Sequence, residues 1–177
     1  MTHFGGEPKQ FDLPLQRVID YAAKRANRRG LTNVRFAVGD AAAWLLRLGP
    51  GSVDEIHMYH PQPYYRHEDI ARRLITGEFL ERAWSVLRGD GILVLQTDNQ
   101  MYWRYFTRAV LRHFDPQVIP GPWPDAPRGR TRREIIARRK GLAIWRMVAH
   151  RLDAPRDVPV PAPDFDANRP RFRRAAR

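Results

Sequence analysis

Val53-Asp54-Glu55-Ile56-His57-Met58-Tyr59 and Gly91-Ile92-Leu93-Val94-Leu95-Gln96-Thr97-Asp98-Asn99 frame the stretch that decides the fold. Between them lie the loop His60-Pro61-Gln62-Pro63-Tyr64-Tyr65-Arg66-His67, the pair Arg72-Arg73 and a helical segment from Thr76 to Leu87. An apolar run, a loop, a helix and a second apolar run spell a βαβ unit. In an open α/β sheet, ligands bind just outside the carboxyl ends of the strands. Both polar clusters fall at such an edge, so one site is expected to receive Gln62, Arg66, His67 and Asp98 together.

Working outward, Leu15, Val18, Ile19, Ala22, Ala23 and Ala26 recur at helical spacing, and Gly30 ends that helix. Asn33 to Val38 alternates as a strand and meets Gly39-Asp40, and Ala41 to Leu48 reads as a short helix before Gly49-Pro50-Gly51. Downstream, Gln100 to His113 is an aromatic-rich helix and Phe114 to Arg130 a Pro-rich loop. Thr131 to Arg139 then reads as a short basic helix, and Leu142 to Ala149 as a closing strand. The alternation predicts an α/β domain over residues 13–150 with a mostly parallel sheet, after an irregular lead-in over 1–12. Residues 151–177 hold five Pro and seven Arg and are expected to be disordered and to contact RNA.

At 177 residues and 43% apolar content, the chain can bury one core. The excess of Lys and Arg over acids is 31 − 19 = +12, which points to a polyanionic partner, nucleic acid before membrane. With no cysteine, disulfides, Cys-ligated zinc and thiol nucleophiles are excluded. No apolar run approaches the ~18 residues of a spanning helix. No signal peptide opens the chain, so a soluble cytoplasmic protein is expected.

Single motifs carry two readings each. Asp40 can accept from a ligand amine or ribose hydroxyl, or cap the helix that follows it. Thr97-Asp98-Asn99 can serve a site or cap a helix, and Thr131-Arg132-Arg133-Glu134 matches a capping box. The Pro61-Gln62-Pro63 loop reads as functional, because two prolines fix the backbone around one polar residue. Tyr64 and Tyr65 offer faces for a base, and Arg66, His67, Arg72 and Arg73 offer phosphate contacts. The six histidines form no metal-ligand spacing, and no Gly-rich phosphate loop is present.

Val53 to Asn99 resembles the bacterial tRNA (guanine-46-N7)-methyltransferases. These have a Phe-Pro-Asp-Pro-Trp-Pro-Lys-Lys-Arg-His loop, paired basic residues, a Phe-Leu helix and a strand ending Thr-Asp-Asn. Here the frame reads His60-Pro61-Gln62-Pro63-Tyr64-Tyr65-Arg66-His67, Arg72-Arg73, Phe79-Leu80 and Thr97-Asp98-Asn99, without a gap across the loop. Gly30-Leu31-Thr32-Asn33-Val34, Gly39-Asp40 and the tract Thr131 to Glu134 are similar as well. The resemblance implies a Rossmann-like methyltransferase fold that uses S-adenosylmethionine on tRNA. It implies that Asp40 and Gln62 bind the cofactor, and that Gln62 stands where the family has its catalytic aspartate. It further implies that Arg66, Asp98, Thr131, Arg132, Arg133 and Glu134 bind the substrate.

Two departures accompany it. The family's first strand and Gly-rich turn have no counterpart, so the fold is expected to be incomplete at its N-terminus. Gln62 keeps an acceptor but lacks the carboxylate charge. Guanine N7 has a free lone pair, so its methylation needs positioning rather than a base. A carboxylate would stabilise the cation that develops on the purine. The expected function is therefore tRNA guanine-N7 methylation, with a catalytically impaired RNA-binding relative as the alternative.

Overall fold

The computed structural model describes residues 13–167. The chain divides into two compact units, Met1–Trp44 and Leu45–Arg177. In the first, α1 (Leu13–Arg28) carries Arg25 and Arg28 in its last turn, where cations suit the helix dipole. Gly30, at φ 67°, closes it with Gly30 N–H on Asn27 O (3.0 Å) and Leu31 N–H on Ala26 O (3.1 Å), a Schellman ending. The strand expected over Asn33–Val38 does not form, and Val34 and Phe36 are exposed. Alternation supplies a face to bury, but a strand also needs a hydrogen-bonded neighbour, and this segment pairs with none among the described residues. Next comes α2 (Ala41–Leu45), shorter than the sequence suggested.

The second unit holds the sheet. Its elements are β1 (Val53–Tyr59), a 3₁₀ turn (His67–Arg72), α3 (Gly77–Val86) and β2 (Leu87–Thr97). Then follow α4 (Gln100–Ala109), a 3₁₀ turn (Val110–Arg112), β3 (Phe114–Val118), α5 (Arg132–Arg139) and β4 (Trp145–Arg151). Strand order is β1-β2-β4-β3. The β1–β2 pair is parallel, with Tyr59 opposite Gln96. On its other edge β2 pairs antiparallel with β4, Gln96 opposite Arg146, and β4 pairs antiparallel with β3.

Three strands thus share one direction and β4 runs against them, so the sheet is mixed. Periodicity marks strands but does not orient them. Strand β3 lies within the stretch expected to be loop. Its Pro116 breaks the sequence signal, yet β3 is an edge strand, where a residue without N–H is tolerated. The helix expected to run to His113 ends at Ala109 and tightens into the 3₁₀ turn.

The core follows from the apolar runs. Leu93, Val94 and Leu95 of β2 are at most 1% exposed, so the strand is covered on both faces, and α3 and α4 contact it. Ile75, Leu80 and Val86 in and beside α3 and Tyr102, Tyr105 and Phe106 of α4 are buried as well, and Tyr105 Oη donates to Ile75 O (2.8 Å).

Residues 152–167, expected to be disordered, are instead packed on this unit. Trp84 Nε1 donates to Leu152 O (2.6 Å), Asn99 Nδ2 to Ala167 O (3.2 Å), and Phe165 stacks on Tyr105 with centroids 5.4 Å apart. A Pro-rich segment needs little regular structure to lie on a surface when side chains from the core reach its carbonyls. The remainder of the expected tail, 168–177, lies outside the described residues, as does the lead-in over 1–12.

Candidate functional site

At the carboxyl ends of β1 and β2 the sheet opens onto a polar cluster. Thr97-Asp98-Asn99 divides its labour: Asn99 Oδ1 accepts from Tyr102 N (2.8 Å) and so caps α4, while Thr97 Oγ1 accepts from Asn99 N (3.1 Å). Asp98 is left for other partners. His60 Nδ1 lies 3.1 Å from Asp98 Oδ1, and Arg133 reaches both carboxylate oxygens, Nε at 3.1 and 3.2 Å.

The proton positions follow from the donors. Trp123 Nε1–H can only donate, and it donates to Gln96 Oε1, which fixes the Gln96 amide. Gln96 Nε2 must then donate to His60 Nε2 (2.8 Å) and to Glu134 Oε2 (3.2 Å). His60 Nε2 is therefore the acceptor of its ring, and Nδ1–H donates to Asp98. Burial pushes the Asp98 carboxyl up, but the hydrogen bonds from His60 and Arg133 outweigh it and hold the group at about 2. Asp98 is an anion.

Glu134 is fully buried. Its Oε1 accepts from Arg146 NH2 (2.5 Å) and its Oε2 from Arg130 N (2.9 Å), so burial, which raises its pKa, is overridden and the pKa falls. Thr131 caps α5, its Oγ1 accepting from Glu134 N (3.1 Å). The capping box is thus half realised, since the Glu134 carboxylate turns to Arg130 N instead of Thr131 N. Arg130 lies over the Trp123 ring (4.0 Å) and donates to Tyr59 Oη (2.9 Å).

Two grooves flank α5. One, of ≈ 440 Å³, is lined by Asp98, Arg132, Arg133, Ile136, Lys140 and Leu142. The other, of ≈ 660 Å³, is lined by Pro127, Arg128, Ile135, Arg138 and Arg139 among others. Both are arginine-rich, which suits phosphate.

The loop after β1 stands in a strained conformation. His60 (φ 52°) and Tyr64 (φ 45°) both lie in the left-handed region, unusual for residues of their size. His60 N–H donates to Gln96 O (2.7 Å), which anchors the start of the loop to β2. Gln62 and Arg66 are exposed, and the nearest acid recorded for Arg66 is Glu68 at 3.9 Å.

The structure therefore brings Asp98 together with Arg133, and Glu134 with Thr131, through β2 and α5. The direct partners of Asp98 are His60 and Arg133. Asp40, in the first unit, caps α2, its Oδ1 accepting from Ala43 N (3.0 Å). Sequence reading missed Gln96, Arg146 and Trp123. For two of them the available signal was a polar residue adjoining an apolar run: Gln96 after Ile92–Leu95, and Arg146 before Met147 and Val148.

The family model described as "Putative methyltransferase" matches residues 15–147. The chain belongs to this family. It is 28% identical over 141 residues to a tRNA (guanine-N(7)-)-methyltransferase from Sphingopyxis alaskensis, covering 73% of the chain and 57% of that protein. It is 32% identical over 149 residues to one from Streptomyces avermitilis (80% and 51%) and 30% identical over 139 residues to one from Erythrobacter litoralis (75% and 60%). The chain thus spans little more than half the length of these relatives. A SAM dependent methyltransferase from Archaeoglobus fulgidus aligns with TM-score 0.40 at 10% identity, covering 68% of this chain and 70% of that one. One from Aquifex aeolicus aligns with TM-score 0.36 at 16% identity, covering 75% and 62%.

Proposed function

We propose that this family member acts in methyl transfer from S-adenosylmethionine to N7 of a guanine in tRNA, in the cytoplasm. The observation that carries the reading is Asp98, an ionised carboxylate at the end of β2 beside the arginine-lined groove. Guanine carries its N1–H and N2–H donors on one edge and N7 on another. A carboxylate that accepts from the first edge holds the base and leaves N7 free. Arg132, Arg133 and Arg66 would take the adjoining phosphates, as exposed arginines do in RNA interfaces. Thr131 would fix the first turn of α5, and buried Glu134 would hold Gln96 and Arg146 without touching RNA.

For the donor, the described residues supply only part of a pocket. Asp40 spends one carboxylate oxygen on its helix, and Gln62 offers a neutral amide and lines neither groove beside α5. These residues do not by themselves fit S-adenosylmethionine. What the chain's own residues account for is the guanine side.

The test is a titration of the 177-residue chain with S-adenosylmethionine, followed by assay of 7-methylguanosine in tRNA. Micromolar cofactor binding with 7-methylguanosine formed supports the reading. A second reading, an RNA-binding relative without methyl transfer, is favoured by the neutral Gln62. Salt-sensitive tRNA binding with no binding at millimolar cofactor would select it.

A further inference from the structure

Arg73 is 3% exposed, and the site described above does not use it. Its hydrogen bonds all go to backbone carbonyls. Nε donates to Pro63 O (2.7 Å) and NH2 to Tyr64 O (2.9 Å), both in the loop that carries Gln62. NH1 donates to Pro163 O (2.6 Å) and Phe165 O (2.8 Å), in the C-terminal segment. The guanidinium also lies over the Phe165 ring, 3.7 Å from its centroid. One planar fork therefore joins the loop at Pro63–Tyr64 to the distant segment at Pro163–Phe165.

The loop needs such an outside donor. Pro61 and Pro63 have no N–H, so the loop has few amides with which to bond itself. Its carbonyls are its handles, and Tyr64 sits at φ 45°, a conformation that persists only when its surroundings enforce it. Phe165 in turn is fixed by Tyr102 and Tyr105 of α4, at 5.0 and 5.4 Å between centroids. The path runs from the core aromatics through Phe165 and Arg73 to the carbonyls of Pro63 and Tyr64.

We propose that Arg73 is a positioning residue for the Gln62 loop and that the segment around Pro163–Phe165 is a working part of the site. The link from loop geometry to methyl transfer rests on the function proposed above; the structural link does not.

Hydrogen exchange on the full chain tests it, comparing Arg73→Met, Arg73→Lys and Phe165→Leu. The amides of His60 and Asp69, which donate to Gln96 O and Arg66 O at the two ends of the loop, should exchange about tenfold faster in Arg73→Met and Phe165→Leu, while Leu93–Leu95 of β2 keep their protection. Arg73→Lys, with fewer and less rigidly placed donors, should recover part of the difference. Unchanged loop exchange in both Arg73→Met and Phe165→Leu overturns the proposal, and so does an equal rise in loop and β2, which marks global destabilisation. Should Arg73→Met not fold, Phe165→Leu decides by the same two readings. Methyl transfer should fall with loop protection, and full turnover on a loosened loop overturns the positioning role. A parent chain that transfers no methyl group sinks the proposed function and leaves the exchange result standing.

Discussion

Gln62 and Asp98 divide the chemistry expected at the sheet edge, one neutral and one charged. A carboxylate in place of Gln62 would add a negative charge beside the purine as it becomes cationic. By analogy with the loss of one charge-stabilising group, Gln62→Asp should raise turnover about 10²–10³-fold, read as 7-methylguanosine per minute. No gain would sink the charge argument. Asp98 supports a second prediction, on stability. Its pKa is depressed from 3.8 to about 2, so it stabilises the fold above the unfolded value, and that contribution is lost as pH falls from about 4 through 2. The shift corresponds to about 2 kcal/mol. Urea unfolding of Asp98→Asn should accordingly show a flatter acid limb than the parent between pH 4 and pH 2, and identical limbs would mean that His60 and Arg133 do not stabilise the anion.

At the scale of elements, α5 depends on its first turn. Thr131→Ala should cost about 1 kcal/mol in urea unfolding, and Thr131→Ser should cost little, because the hydroxyl is what accepts from Glu134 N. Much of this was legible in the sequence. The βαβ frame, α3, α4 and the α5 cap are written in local periodicity and capping residues, which act within a few positions. Asn99 as cap and Asp98 as partner of His60 and Arg133 were both present in one tripeptide, and only the tertiary structure tells them apart. What stayed illegible depends on distant partners. Asn33–Val38 has the alternation of a strand but no neighbour to pair with among the described residues, and β3 hides behind Pro116 because edge status is a tertiary fact. Likewise Phe165 reads as one aromatic in a Pro-rich tail, and only its contact with Tyr105 shows that the segment is held.

At the scale of the molecule, charge dominates. With a net charge of +12 and arginines in both grooves beside α5, tRNA affinity should fall steeply with salt. Six or more phosphate contacts would mean a loss of about 10³-fold or more between 50 and 200 mM salt. Filter binding at several salt concentrations measures the slope, and a flat response would remove polyanion recognition from the reading. Among the described residues no helix is long and apolar enough to cross a membrane.

The reversed strand at the centre of the sheet also bears on how the protein is made. As the chain leaves the ribosome, β1 and β2 can pair early, but the other edge of β2 waits for β4, about 50 residues later. At typical synthesis rates of ~5–20 residues per second, that edge stands open for several seconds. It presents Leu93, Val94 and Leu95, which are all buried in the finished fold, and an uncovered apolar edge invites pairing with other chains. Nascent chains halted before Trp145 should therefore recruit chaperones or aggregate, and release should coincide with the emergence of Arg151.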